Sequence, residues 1–234
     1  VNVVASSIAR EADYVIYTMA GPEIAVATTK AYSTQLAVLY MLAIKLGHVR
    51  DMISEEDYLS ELMGISAGVK EMLDKKEELQ YLASIFYNHK DIFFLGRGTD
   101  YAVALEGSLK LKEISYIRSE AYPAGELKHG TIALITEESL VVAIATEENL
   151  IEKTISNIKE VKARGATVLL VTMDKYLPLF GDVYDHVLTI PNIASIFAPS
   201  LTVVPLQMLA YFISTLRGLD VDKPRNLAKS VTVE

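Results

Sequence analysis

Glu106, Lys110 and Glu113 are spaced so that a helix would bring them together, within the stretch Leu105-Glu-Gly-Ser-Leu-Lys-Leu-Lys-Glu-Ile-Ser-Tyr116. At 100° per residue they fall within about 60° of one another, while Val103, Gly107, Leu111 and Ile114 gather on another side. One face is for burial and the other carries a carboxylate-ammonium-carboxylate ladder. Such a ladder can move protons, or it can be a solvated row of i,i+3 and i,i+4 ion pairs contributing a few tenths of a kcal/mol each. The sequel, Ala121-Tyr-Pro-Ala-Gly-Glu-Leu-Lys-His-Gly130, adds Glu126, Lys128 and His129, and His129 is one of only four histidines. An imidazole titrates near neutrality without special help, so the combined chemistry would be acid-base catalysis. A loop histidine is also an ordinary surface residue.

These groups need elements to hold them. Asp91-Ile-Phe-Phe-Leu95 reads as a buried strand, followed by Gly96-Arg-Gly98 and the Glu106-Glu113 helix. Strands at about Leu140-Ala145 and Thr167-Thr172 flank a helix from Asn149 to Arg164, stopped by Gly165. This alternation predicts an α/β fold with a doubly wound parallel sheet. The Pro/Gly-punctuated loop after the helix is expected to gather Glu113, His129 and their neighbours at one end of the strand-helix unit, where open sheets collect ligands. Gly96-Arg-Gly98 reads as a tight strand-helix turn in preference to a phosphate cradle.

Upstream, Val3-Val4 and Tyr14-Val-Ile-Tyr17 read as short buried strands, and Thr28 to Leu46 as a long helix closed by Gly47. Glu55 to Lys75 and Glu77 to Tyr87 read as an amphipathic connector, with a domain boundary near residue 75. The ends of the chain repeat one another. Asp13-Tyr-Val-Ile and Gln35-Leu-Ala-Val-Leu-Tyr match Asp185-His-Val-Leu and Gln207-Met-Leu-Ala-Tyr-Phe at a common offset of 172. Duplication is the simplest account, and it implies that the first copy is truncated at its N-terminus.

The chain has 234 residues, 51% hydrophobic and 22% charged, enough for one or two cores. A net charge of -8 without a basic cluster argues against nucleic-acid binding. With no cysteine there is no disulfide, thiolate metal site or cysteine nucleophile, which fits a cytoplasmic protein. No signal peptide opens the sequence. Ser195 to Leu216 carries no charge and could span a bilayer by length, but Pro199, Pro205 and Gln207 favour a buried core helix.

Leu105-Glu-Gly, Leu109-Lys-Leu-Lys-Glu-Ile-Ser-Tyr116, Glu120-Ala-Tyr, Ala124-Gly-Glu-Leu-Lys-His-Gly130 and the tail Pro224-Arg-Asn-Leu-Ala-Lys-Ser-Val-Thr-Val-Glu234 resemble the isomerase half of the glutamine:fructose-6-phosphate amidotransferases. That half consists of two sugar isomerase (SIS) domains. The resemblance implies residues 1-75 as the end of a first SIS domain with its connector, 76-218 as a second, and 219-234 as an active-site tail. It implies conversion of fructose 6-phosphate and glutamine-derived ammonia to glucosamine 6-phosphate in a cytoplasmic homodimer, with no metal or other cofactor and with a glutaminase domain upstream. Glu113 would be the proton-transfer base, His129 the ring-opening group reaching the neighbouring subunit, Lys229 the Schiff-base amine and Lys110 its assistant near the sugar hydroxyls. Val26, Thr28 and Ala228 would contact the sugar, with Glu23 close by. The residues alone also allow a chain end without function at the tail and a loop without ligand at Gly21-Val26. A non-catalytic sugar-phosphate-binding module and a fructosamine-phosphate deglycase are the rival functions on the same fold.

Overall fold

A computed structural model describes residues 1–229; the last five residues of the tail motif, 230–234, lie outside the described residues. Five strands, β1 (Asp91–Gly96), β2 (Arg118–Pro123), β3 (Leu140–Ala145), β4 (Thr167–Met173) and β5 (His186–Ile190), form one parallel sheet in the order β2-β1-β3-β4-β5. β3 is buried at every residue and β4 at all but its first, because a parallel sheet is covered on both faces. Helix α5 (Thr99–Ser115) connects β1 to β2, and α6 (Ile151–Lys162) connects β3 to β4. These crossovers run outward in opposite directions, so right-handed connections place the two helices on opposite faces. The doubly wound α/β expectation holds.

Helix α7 (Ala198–Leu216) packs against both α5 and α4 (Lys76–Phe86). α7 is long and apolar enough to cross a membrane, yet more than half of that stretch is buried within the protein. It is a core helix, also touching α3 (Glu55–Asp74) and β5. α3 and α4 meet at Lys75, whose ammonium donates to the carbonyl (2.8 Å) and hydroxyl (3.1 Å) of Thr189 on β5. Gly165 stops the α6 segment at φ +85°, where a Cβ would also meet Glu137 at 2.5 Å.

Three expectations need correction. β2 was hidden in what reads as loop, because an edge strand of sequence Arg-Ser-Glu-Ala-Tyr-Pro has no apolar run and ends in proline. Val3-Val4 and Tyr14-Tyr17 are not strands. Val3, Val4 and Tyr14 are exposed, Tyr14 at 93%, and the segment is tied through Val1 to Ile16 and Thr18 and through the Asn2 side chain to Thr18, Ala20 and Gly21, without a strand ladder. An apolar run becomes a strand only when a ladder partner lies beside it. Gly47 does not close its helix: α2 runs over Lys30–Val49 and turns at Asp51 (φ +56°). Gly47 instead admits Ile53, whose Cδ1 would lie 2.9 Å from an added Cβ. The repeat accordingly survives in its helices, α2 and α7, and not in its strands. α1 (Ser7–Glu11) is a single turn capped by Ser6.

Candidate active site

The ladder on α5 is real, with its ammonium buried and its two carboxylates largely removed from solvent. Lys110 Nζ lies 2.7 Å from Glu113 Oε2 and 3.5 Å from Glu106 Oε1, with side-chain exposures of 5%, 21% and 14% for Lys110, Glu113 and Glu106. A solvated row of ion pairs is therefore excluded. Burial raises the Glu106 carboxyl above its usual range; Lys110 opposes that and Glu113 adds to it. Glu113 Oε2 is close to the ammonium but outside hydrogen-bond direction, and it accepts no hydrogen bond among the described residues. A carboxylate oxygen that accepts no directed hydrogen bond keeps a lone pair free for a substrate proton.

The tail reaches a second cluster. After α7 the chain turns at Gly218 (φ +69°), and Asp220 Oδ1 accepts the Asp222 and Lys223 amides, both at 3.0 Å. Asp222 O receives the Val26 N–H at 3.0 Å, which joins the tail to the loop before α2. Arg225 stacks over the Tyr116 ring at 4.2 Å and donates its N–H to the Tyr116 hydroxyl at 2.8 Å. Tyr116 is the left-handed residue (φ +60°) that ends α5. Lys229 Nζ then meets Glu23 Oε2 (2.8 Å), Thr28 Oγ1 (3.1 Å) and the Val26 carbonyl (3.3 Å). Ala228 sits exposed beside it.

Glu23 also serves α2, because its Oε1 receives the N–H groups of Thr29 (3.1 Å) and Ala31 (3.3 Å). Burial alone would raise its carboxyl, but the hydrogen bonds from Lys229, Ala31 and Thr29 prevail and hold it low. In the first turn of α2, the Tyr32 phenol is pushed up to about 12 by burial and then by the charge of Glu106.

His129 is elsewhere. β1 runs from Asp91 to Gly96, α5 returns along the sheet, and β2 runs again in the β1 direction, with Gly96 opposite Pro123. Glu113, two residues before the end of α5, lies at the N-terminal edge of the sheet. His129, in a 3-10 turn (Leu127–His129) after β2, lies exposed at the C-terminal edge. The seventeen residues of α5 separate the two edges by about 25 Å. The expectation that one end of the unit gathers both is overturned, because α5 is antiparallel to the strands it joins. Glu126 and Lys128 are exposed with His129. Tyr116, Tyr32 and Arg225 were not singled out by spacing; only contacts between distant segments reveal them.

The SIS domain model matches residues 1–45 and 85–216. The chain belongs to the SIS domain family. It is 58% identical along its whole length to the glutamine--fructose-6-phosphate aminotransferase [isomerizing] of Caldanaerobacter subterraneus and 54% identical to that of Clostridium tetani. It spans 39% of the length of each of these relatives. Among solved structures, the C-terminal domain of glucosamine-fructose-6-phosphate aminotransferase from Francisella tularensis is similar with a TM-score of 0.91 and 38% identity. That likeness covers 95% of this chain and 63% of the other. A glucosamine-6-phosphate deaminase from Thermotoga maritima follows with a TM-score of 0.74 and 29% identity, over 97% of this SIS chain and 63% of its own.

Proposed function

We propose that this SIS chain is the isomerase part of an amidotransferase that makes glucosamine 6-phosphate from fructose 6-phosphate and glutamine-derived ammonia. The observation that carries the reading is Lys229, a tail lysine seated on Glu23, Val26 and Thr28 at the edge of the sheet that also holds Glu113. An amine there can open a ketose as an imine: its lone pair attacks the C2 carbonyl and the oxygen leaves as water. After ammonia has taken the amine's place, Glu113 takes a proton from C1 and returns it to C2. Lys110 offers an ammonium to the oxygens that gain charge. The names of the curated relatives support the substrates, and their greater length supports a glutaminase domain upstream.

Residues 1–75 are the end of a first SIS domain with its connector, 76–218 a second, and 219–234 the active-site tail, a division supported by the two matched ranges. His129 opens the sugar ring in the site of a partner subunit. Its distance from Glu113 within one chain favours that arrangement and, with it, a homodimer. The protein works in the cytoplasm, where its substrates are made. Isomerisation of fructose 6-phosphate to glucose 6-phosphate by the full-length protein is the test. Glu113→Gln should lower kcat by about 10²–10⁴-fold with little change in KM. An unaltered rate would remove Glu113 from the mechanism.

A second reading, an enzyme that breaks down an amino or fructosamine sugar phosphate, is favoured by the deaminase likeness. Product analysis with glutamine present separates synthesis from breakdown. A non-catalytic sugar-phosphate module is excluded by any turnover that Glu113→Gln abolishes.

A further inference from the structure

An ammonium has three N–H donors and no lone pair. Lys229 Nζ has three acceptors in reach, Glu23 Oε2, Thr28 Oγ1 and the Val26 carbonyl. The side chain is thus fully paired, and in that form it is no nucleophile. Two of its acceptors, at Val26 and Thr28, belong to residues that the family resemblance assigns to the sugar. Lysine and sugar would then compete for the same oxygens.

We propose that Glu23, Val26 and Thr28 form a latch that parks Lys229 as an inert ammonium, and that a polyhydroxylated sugar phosphate seating on Val26 and Thr28 releases it. The inference rests on the reading of Lys229 as the imine-forming amine. Glu23 is the charged arm of the latch and a positioning residue. One oxygen is anchored by the Thr29 and Ala31 amides at the start of α2, so the other is presented to Nζ at a fixed place. Thr28 donates toward that same Oε2 at 3.4 Å, which orients its hydroxyl lone pairs toward the lysine. The nearby Lys30 is engaged with the Pro22 carbonyl at 2.6 Å and leaves Glu23 to Lys229. Hydrogen bonds from Lys229, Ala31 and Thr29 hold the Glu23 carboxyl below its ordinary value against the effect of burial. Loss of two acceptors to sugar hydroxyls leaves Nζ with one partner. One proton can then pass to solvent, exposing the lone pair that attacks the carbonyl carbon.

Reductive methylation with formaldehyde and cyanoborohydride reads the free amine and does not depend on turnover. In the full-length protein, the rate at Lys229, mapped by mass spectrometry, is divided by that at exposed Lys128. Glu23→Gln should raise this ratio about two- to fivefold, the scale of one partly exposed ion pair. Thr28→Val, which leaves the Glu23 cap of α2 in place, should raise it by a smaller factor. Saturating glucitol 6-phosphate, which has no carbonyl, should raise the wild-type ratio as well. Wild-type ratios in both variants overturn the latch, and an unchanged ratio with the polyol bound overturns the release. Failure of the imine reading appears separately, as absence of a borohydride-trapped fructose 6-phosphate adduct on wild-type Lys229.

Discussion

The two edges of the parallel sheet treat their carboxylates in opposite ways. At the C-terminal edge, between β1 and β3, the strand order reverses, and doubly wound sheets usually take their ligand there. In this protein Asp100, buried at the start of α5, accepts the Thr146 N–H (2.7 Å) and hydroxyl and the Glu147 N–H (3.3 Å). Glu147 in turn accepts the N–H and hydroxyl of Thr99. Gly98 (φ +56°) admits that carboxylate, since an added Cβ would overlap it. The switch point is thereby closed by two reciprocal caps. At the N-terminal edge, Glu113 is close to one ammonium without a directed hydrogen bond. Satisfied carboxylates fix a fold, while an underused one is available for chemistry.

The largest expected effect tests whether the two edges cooperate across subunits. Glu113→Gln and His129→Asn proteins, each feeble alone, should recover about a quarter of the wild-type isomerase rate after subunit exchange. Half of the dimers are then hybrids, each with one unaltered Glu113/His129 pair. Recovery no greater than the separate variants would confine both residues to one chain and break the proposed site.

Next is the ladder itself. Lys110→Met leaves two neighbouring, largely buried carboxylate side chains without their cation and should cost about 3 kcal/mol of unfolding stability at pH 8. The Glu106 carboxyl, already raised by burial, rises further without Lys110 and so takes up its proton earlier as pH falls. The loss should therefore shrink at pH 5, and equal losses at both pH values in urea titrations would contradict a buried ladder.

The closed switch point has its own pH signature. Burial pushes the Asp100 carboxyl up to about 6 from 3.8, against the pull of its hydrogen bonds. The folded state holds that proton more tightly than the unfolded one, so this group's contribution falls as pH rises from about 4 to 6. Asp100→Asn can accept the two amides and donate to the Thr146 hydroxyl, without the charge. Its stability relative to wild type should increase by about 2–3 kcal/mol between pH 4 and pH 8, measured by chemical denaturation. A difference independent of pH would mean that Asp100 titrates normally.

The smallest effect concerns the tail. Tyr116→Phe keeps the ring beneath Arg225 but removes the acceptor for its N–H, a loss of about 1 kcal/mol or less. Faster amide exchange at Arg225 with an unchanged Tm is expected; unchanged exchange would mean that the stacking alone docks the tail.

Local sequence decided the elements whose cause is local. The apolar runs of β1, β3 and β4 show directly as strands because a parallel sheet buries them on both faces. The three-residue ladder shows from helical spacing, since i,i+3 and i,i+4 neighbours must share a face. Its burial does not, because only the packing of α5 within the fold removes water from it. β2 and the false strands before Tyr17 mark the other limit: strand formation depends on a neighbour that a single segment does not contain. The Lys229 cluster was legible only through resemblance, as no spacing rule relates residues some two hundred positions apart. Tertiary structure alone decided that Glu113 and His129 stand at opposite edges, because the direction of a crossover helix belongs to the sheet it returns along.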